Sequence, residues 1–390
     1  GGEIYYDCLG GNQYLITLVV YRDCAGINLD NSYTLDLTSP CANKTLTVST
    51  SGGVEISQLC GLELPNSTCN GGSLPGIQQY IYTGTVSLPP CDAWTISWTE
   101  PWRNGAIANL VDPGSKDVYI QAVLDNAAGP SNDSPHFTNT AIPYVCASYP
   151  ITYSYGAIDP EGDSLTYTFI SAMNDGAVIL PYVAGFSGAQ PITGITLDPH
   201  TGEVNFTLNS IGNWVVVVRV DQYDASGTWV GSIMRDMQFI AYPCTNVPPD
   251  PNSGVITGLT GAATQTGPRS LEVCESGDFC FDAEITDLNA GDTLTGITNI
   301  SASLPGATIT YSGSNPMSMH VCWAGVANAS GFYPFIITIS DGACPIPAQQ
   351  TFVYSVHVLP GISLTPSVTN ETCAGNGDGT ATVNVDVGQA

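Results

Sequence analysis

Positive charge is what this sequence has least of. Seven Lys and Arg stand against 34 Asp and Glu, a formal net charge of -27 over 390 residues. Nucleic-acid binding is thereby excluded, because gripping a phosphate backbone needs clustered basic side chains. No apolar run reaches the ~18 residues that a membrane helix requires, and no long amphipathic helical period is present. The four histidines, His136, His200, His320 and His357, are scattered, without HExxH or other metal-ligand spacing. Gly185-Phe186-Ser187-Gly188 is no nucleophile elbow, since the second Gly follows the Ser directly. There is also no CxxC and no Cys/His cluster. These absences point away from an enzyme.

Cysteine itself is plentiful. Thirteen residues without metal spacing read as disulfides, hence an oxidising compartment and an extracellular, cell-surface location. The chain begins at Gly1 rather than Met, so a signal peptide is expected to have been removed or left out. Abundant Thr, Val, Tyr and Ile, broken by 42 Gly and 27 Pro, give an all-β composition. At this length about three domains are expected.

One stretch organises the reading. Asp159-Pro160-Glu161-Gly162-Asp163 sets three carboxylates in a turn, directly before the alternating strand Leu165–Phe169. Carboxylates packed this closely repel, so the turn is either well solvated or organised by a hard cation; Ca²⁺ takes carboxylate and carbonyl oxygens in such loops. Asp287-Leu288-Asn289-Ala290-Gly291-Asp292 repeats the plan with one extra residue. Matching Val/Ile-rich strands follow, beginning just after Gly212 and Gly331 and ending on Asp221 and Asp341. Two diverged copies of one β module are in view, and tandem modules on short linkers make an elongated array.

The expected units are residues 1–145, 146–247 and 248–360, with a fresh segment at 361–390. Cysteine parity agrees: Cys8, Cys24, Cys41, Cys60, Cys69 and Cys91 fall in the first unit, and Cys274, Cys280, Cys322 and Cys344 in the third. Cys146 and Cys244 bracket the second, and their bridge would close a loop worth ~4–5 kcal/mol in the chain-entropy model. Pairing within the sets of six and four is open, with Cys60–Cys69 a local guess. Cys373 is left over and expects a partner beyond Ala390 or on another chain. Trp94, Ile96 and Trp98 share one strand face and read as core. Trp102, beyond Pro101, reads as an exposed loop residue and a possible glycan contact.

Tyr82–Val86, Cys91–Trp98, Arg103-Asn104, Ser134–Phe137 and Asp159–Leu165 occur in an order that resembles the N-terminal region of large Bacteroidota surface proteins. These are the gliding-motility-associated, type IX-secreted kind. Cys373–Ala381 resembles the opening of the repeat in SprB-like motility adhesins. The acidic-turn modules also look cadherin-like, with an Ig-like sandwich fold. That resemblance implies structural Ca²⁺ held by Asp159, Glu161, Asp163 and Asp221, then by Asp287, Asn289, Asp292 and Asp341. The extra residue in the second turn and the incomplete linker motif favour calcium within modules over calcium between them. The expected function is a non-enzymatic adhesin or stalk engaging a surface glycan, a substratum or other surface-protein subunits. The alternatives are a subunit of an extracellular filament assembled by strand exchange, and a carbohydrate-binding module using Trp102.

Overall fold

The computed structural model describes residues 1–139, 141, 144–244, 246–326, 329–361 and 363–387. Ile362 and residues 388–390 of the expected last segment lie outside them. The chain is all-β, with one short α-helix, Ile300–Ser303, and four three-residue 3₁₀ turns among the described residues.

Eight strands of the largest sheet close on themselves. Their order is Gly2–Gly10, Gln13–Asp23, Ile77–Ser87, Asn43–Ser49, Ser32–Thr38, Trp94–Glu100, Val118–Leu124 and Trp229–Tyr242, and the last returns to the first. Alternation explains the inner face: Trp94, Ile96 and Trp98 are buried while Thr95 and Ser97 between them are less so. Closure occurs where Gly2 and Glu3 pair with Asp236 and Arg235.

Two buried ion pairs sit at that closure. Arg235 donates through Nε and Nη2 to the Glu3 carboxylate, its guanidinium 4.1 Å above the Phe137 ring. Arg103 forks onto both oxygens of Asp236, at 3.1 and 2.6 Å. Its second amino group also donates to the Met173 carbonyl at 3.1 Å.

Trp229–Tyr242 is the spine of the protein. One edge meets Val118–Leu124, then Gly2–Gly10, then in parallel Tyr144–Cys146; the other runs along Gly212–Tyr223, which pairs onward with Ser164–Ile170. A strand covered on both faces carries a continuous apolar run, and Trp214 to Val218 are accordingly all buried. Since this sheet draws strands from both sides of residue 145, one hydrophobic core runs from Ile4 to Ala241. The expected boundary at 145/146 therefore divides the chain but not a core.

The module repeat is visible in strand order. Tyr144–Cys146, Trp229–Tyr242, Gly212–Tyr223 and Ser164–Ile170 correspond to Ser270–Cys274, Gln349–Leu359, Gly331–Ser340 and Thr295–Thr298. In each set the first pair is parallel and the rest antiparallel. The opposing sheets match likewise, Pro150–Ser154, Glu203–Thr207 and Thr196–Leu197 against Phe279–Ile285, Met317–Trp323 and Thr308–Ser312. Gly212 and Gly331 open equivalent strands at φ 149° and 155°, each against the aromatic ring two residues on, Trp214 or Tyr333. The third unit has its own core, from Ile256 to Val358.

Five disulfides staple the described residues: Cys24–Cys69, Cys41–Cys91, Cys60–Cys344, Cys146–Cys244 and Cys280–Cys322. Cys146–Cys244 follows the sequence reading, but Cys60 does not pair with Cys69. Cys69 faces Cys24 instead, and the Cys60 N–H is held by the Pro345 carbonyl at 3.0 Å. Because that bridge crosses between the first and third units, parity within units fails and leaves Cys8 and Cys274 free, with Cys373. Cys274 is the register equivalent of Cys146: Cys146 lies opposite Tyr242, and Cys274 opposite Leu359. Cys244 stands two residues past Tyr242, whereas two residues past Leu359 is Gly361, so the second copy has no partner to offer.

The third unit meets the others through polar contacts as well. Gln350 accepts from the Thr152 N–H at 2.7 Å and donates to the Pro150 carbonyl at 2.8 Å, and Asn299 donates to Thr138.

Replacing Arg103 by Met should strand the buried Asp236 carboxylate and cost about 3–5 kcal/mol in urea unfolding, as breaking buried pairs does. Arg103→Met with Asp236→Leu should recover most of it. A single-variant loss no larger than about 0.5 kcal/mol, typical of surface changes, would mean the pair does not hold the closure.

Candidate cation sites

Both acidic turns are built by their own side chains. Asp159 Oδ1 accepts the N–H groups of Glu161 and Asp163 at 3.0 and 2.9 Å, curling the turn through Gly162 at φ 81°. That leaves Asp159 Oδ2 facing Asp163 Oδ2, Asn132 Oδ1 and the Asp133 carbonyl. All four oxygens surround one nitrogen, Gln222 Nε2, at 2.7, 3.0, 2.9 and 3.0 Å. A primary amide has two hydrogens, so it cannot satisfy four acceptors. The result is an oxygen cage around a donor that is too weak for it.

Electrostatics carry the same mark. Burial pushes Asp159 up to about 6, with the neighbouring Asp163 adding to the rise and turn N–H groups opposing it. Burial, then the charges of Asp133 and Asp159, pushes Glu161 up to about 7. Asp163 is raised too, mainly by burial. Glu161 and Asp163 border a cleft of about 950 Å³ whose other wall includes Glu272, Phe332, Tyr333 and His357, and among the described residues no Lys or Arg lines it.

Asp221, expected among the ligands, is not in this cage. Its carboxylate accepts from Arg219 Nε at 2.8 Å and Trp229 Nε1 at 3.1 Å. Strand alternation is the reason: it is the next residue, Gln222, that faces the turn.

The second turn gathers Asp287, Asp292 and Asp341, with carboxylate oxygens within 4.8 Å of one another. Asp287 Oδ1 accepts the Asn289 N–H at 2.7 Å, and Asn315 braces the turn by donating to the Asp287 and Asn289 carbonyls. Asn246 Nδ2 donates to Asp292 Oδ2 at 2.9 Å and Asp341 Oδ2 at 2.7 Å. Asn289 Oδ1 accepts the Val247 N–H at 2.9 Å. Asp287, only 8% exposed, has its Oδ2 buried without a hydrogen-bond partner. Burial raises Asp287, and burial with repulsion from Asp292 and Asp287 brings Asp341 up to about 6 against two stabilising N–H groups.

Carboxylate, amide and carbonyl oxygens are the donor set that Ca²⁺ takes, and an orphaned buried carboxylate oxygen is what a cation would satisfy. The residues of the second turn therefore fit the ion as they stand, whereas at the first turn an ion would have to displace the Gln222 amide nitrogen from among the four oxygens. Sequence reasoning missed Asn132, Asp133, Gln222, Asn246 and Asn315. A signal existed for two of them, an Asn shortly before the Pro leading into each module: Asn132-Asp133-Ser134-Pro135 and Asn246-Val247-Pro248.

Elsewhere, His320 lies 2.7 Å from Asp282 Oδ1 and 3.1 Å from Cys322 Sγ, but that sulfur is bonded to Cys280. His136 pairs with Asp7 at 3.1 Å and His357 with Glu272 at 3.4 Å. Trp102 is 71% exposed at φ 65°, beside the anchored Arg103.

No family model matches the chain, and no curated protein matches it. Parts resemble solved structures at low similarity. Titin Ig tandem domains are 8% identical over 56% of this chain and 92% of theirs, with a TM-score of 0.18. Drosophila N-cadherin is 10% identical over 68% and 89%, TM-score 0.20. An endo-fucoidan hydrolase from glycoside hydrolase family 107 is 12% identical over 91% of this chain and 43% of that one, TM-score 0.20. At such TM-scores these likenesses decide neither fold nor function, and the architecture rests on the strand pairing itself.

Asp159, Glu161 and Asp341 have folded-state pKa values raised above the ordinary carboxylate range, so the native state binds more protons than the unfolded chain between about pH 4 and 7. Stability in chelator should therefore fall as pH rises through this window, with Tm higher at pH 5.5 than at pH 7.5, both of these values being approximate working conditions. A Tm that rises with pH there would contradict the cage geometry.

Proposed function

We propose that this chain is part of a non-enzymatic extracellular adhesin or stalk, stiffened by disulfides and by Ca²⁺ in the two acidic cages. One observation carries the reading. Each cage joins a module to the chain before it: Asn132 and Asp133 reach the Asp159–Asp163 turn, and Asn246 reaches Asp292 and Asp341. A cation at the second cage would fix the third unit against the chain before it, a place between cores rather than within a module as the sequence favoured. One at the first would pin residues 132–133 to the turn inside a core the first two units share. Five disulfides support secretion into an oxidising compartment. The resemblance to Bacteroidota gliding-motility-associated, type IX-secreted proteins supports attachment or gliding as the setting. Surface glycans, a substratum or other surface-protein subunits would then be the partners.

Extracellular modules bind Ca²⁺ with Kd of about 10⁻⁴–10⁻³ M, and a tenfold excess over Kd stabilises by about 1.4 kcal/mol. Full chain with disulfides intact should therefore melt several degrees higher in calcium than in chelator. Asp163→Ala and Asp287→Asn should each remove part of the shift, and together all of it. Superimposable melts would sink the calcium reading.

A second reading, a filament subunit assembled by strand exchange, is favoured by the Ser363–Thr369 and Thr380–Val387 hairpin. Among the described residues these strands pair only with each other, and Val368 and Val383 are exposed. A two-stranded ribbon is marginal alone, while an open edge invites a further strand. Concentration-dependent assembly, lost when residues 361–390 are deleted, would establish it; a monomer at all concentrations would dismiss it.

A further inference from the structure

The segment Asp341–Ala348 belongs to two structures at once. Asp341 Oδ2 faces the second cage, accepting from Asn246. Its Oδ1 accepts the N–H groups of Ala343 and Ala348, both at 2.9 Å, and its own N–H donates to the Ala348 carbonyl, so one carboxylate ties both ends of the loop. The loop between reaches back across the molecule. Cys344 is bonded to Cys60, and the Pro345 carbonyl accepts the Cys60 N–H at 3.0 Å. The Ile346 carbonyl accepts from Tyr242 Oη at 3.2 Å, and the Pro347 carbonyl from Gln58 Nε2 at 2.7 Å. Four consecutive residues thus clamp the third unit onto the first two, and the carboxylate at their base is a cage wall.

We infer that the second cation site regulates this clamp. The inference rests on the calcium reading above and extends it. With no cation in the cage, Asp287, Asp292 and Asp341 repel one another within 4.8 Å; backbone N–H groups hold Asp287 and Asp341 from outside, and the Asn246 amide alone bridges two of the carboxylates, Asp292 and Asp341. A cation removes the repulsion and fixes Asp341, and Asp341 fixes the loop that presents Cys344 and the three carbonyls. By linkage the effect is reciprocal: a closed clamp raises cation affinity by the factor by which the cation favours the closed clamp.

The test uses the full chain and follows how fast a water-soluble phosphine reduces each disulfide, read by differential alkylation and mass spectrometry, in calcium and in chelator. Reduction of Cys60–Cys344 should slow several-fold in calcium, while Cys280–Cys322, in the same unit but away from the loop, should not change. Asp292→Asn, which alters the cage without touching the loop, should remove the calcium effect. Calorimetry on Cys60→Ser/Cys344→Ser should show weaker binding at the second site by a similar factor. If calorimetry finds no calcium binding to the native chain, the cation reading falls and this inference with it. If calcium binds but Cys60–Cys344 reduction is unchanged, or all bridges slow equally, the coupling alone is overturned. The native-chain comparison stands without the variants should either misfold.

Discussion

Consecutive residues of one strand, Arg235 and Asp236, each hold a buried opposite charge, and the architecture depends on that pair of contacts. Glu3 and Arg103 come from distant parts of the sequence. Desolvating four charges is expensive, and an ion pair of this kind often gains little over a well-packed apolar substitute. What it supplies here is register. A slip of one residue would turn Arg235 away from Glu3 and leave both charges buried and alone. The penalty for the wrong register is far larger than the gain from the right one, so the edge formed by Gly2–Gly10 closes on the spine strand in one way.

That closure changes what a module is. Trp229–Tyr242 serves the second module as its central strand and the first unit as a wall, whereas its counterpart Gln349–Leu359 serves one sandwich. The same strand order has been used once as part of a larger closed sheet and once free. Cys274 records the divergence: it keeps the position of Cys146, but Gly361 replaces the bonding partner. The third unit is instead tied through Cys344 to the first.

Much of this was legible in the sequence. Alternation in Trp94–Trp98, the Val run after Gly212 and the spacing of turns are local, and local pattern follows from side-chain geometry. The repeat was readable because each copy sets an acidic turn ahead of a Val/Ile-rich strand that starts just after a Gly, Gly212 or Gly331. The Cys60–Cys344 bridge and the shared sheet were not, since both depend on which edges meet, and an edge carries no signature of its partner. The cages fall between. Their carboxylates stand out as Asp-rich turns, but Gln222 is a single amide from another strand, indistinguishable in the sequence from any solvent-facing one, and Asn246 is marked only by its place shortly before a Pro. Asp221 misled because the sequence reading ended the strand on that acid, whereas the strand runs on to Tyr223 and the pleat turns Gln222 toward the turn.

The scarcity of Lys and Arg bears directly on those amides. A buried carboxylate cluster is normally neutralised by a basic side chain, and where this protein has one to use, at Glu3 and Asp236, it does so. Around the acidic turns it places a neutral amide instead, Gln222 in one and Asn246 in the other. An amide donates hydrogen bonds and removes no charge, so the cages remain rich in negative potential, which adds to the burial that chiefly raises their carboxyl pKa values. A guanidinium in either position would have made a permanent ion pair and closed the site to any cation. The neutral donor holds the oxygens in place and leaves their negative charge without a basic side chain to balance it.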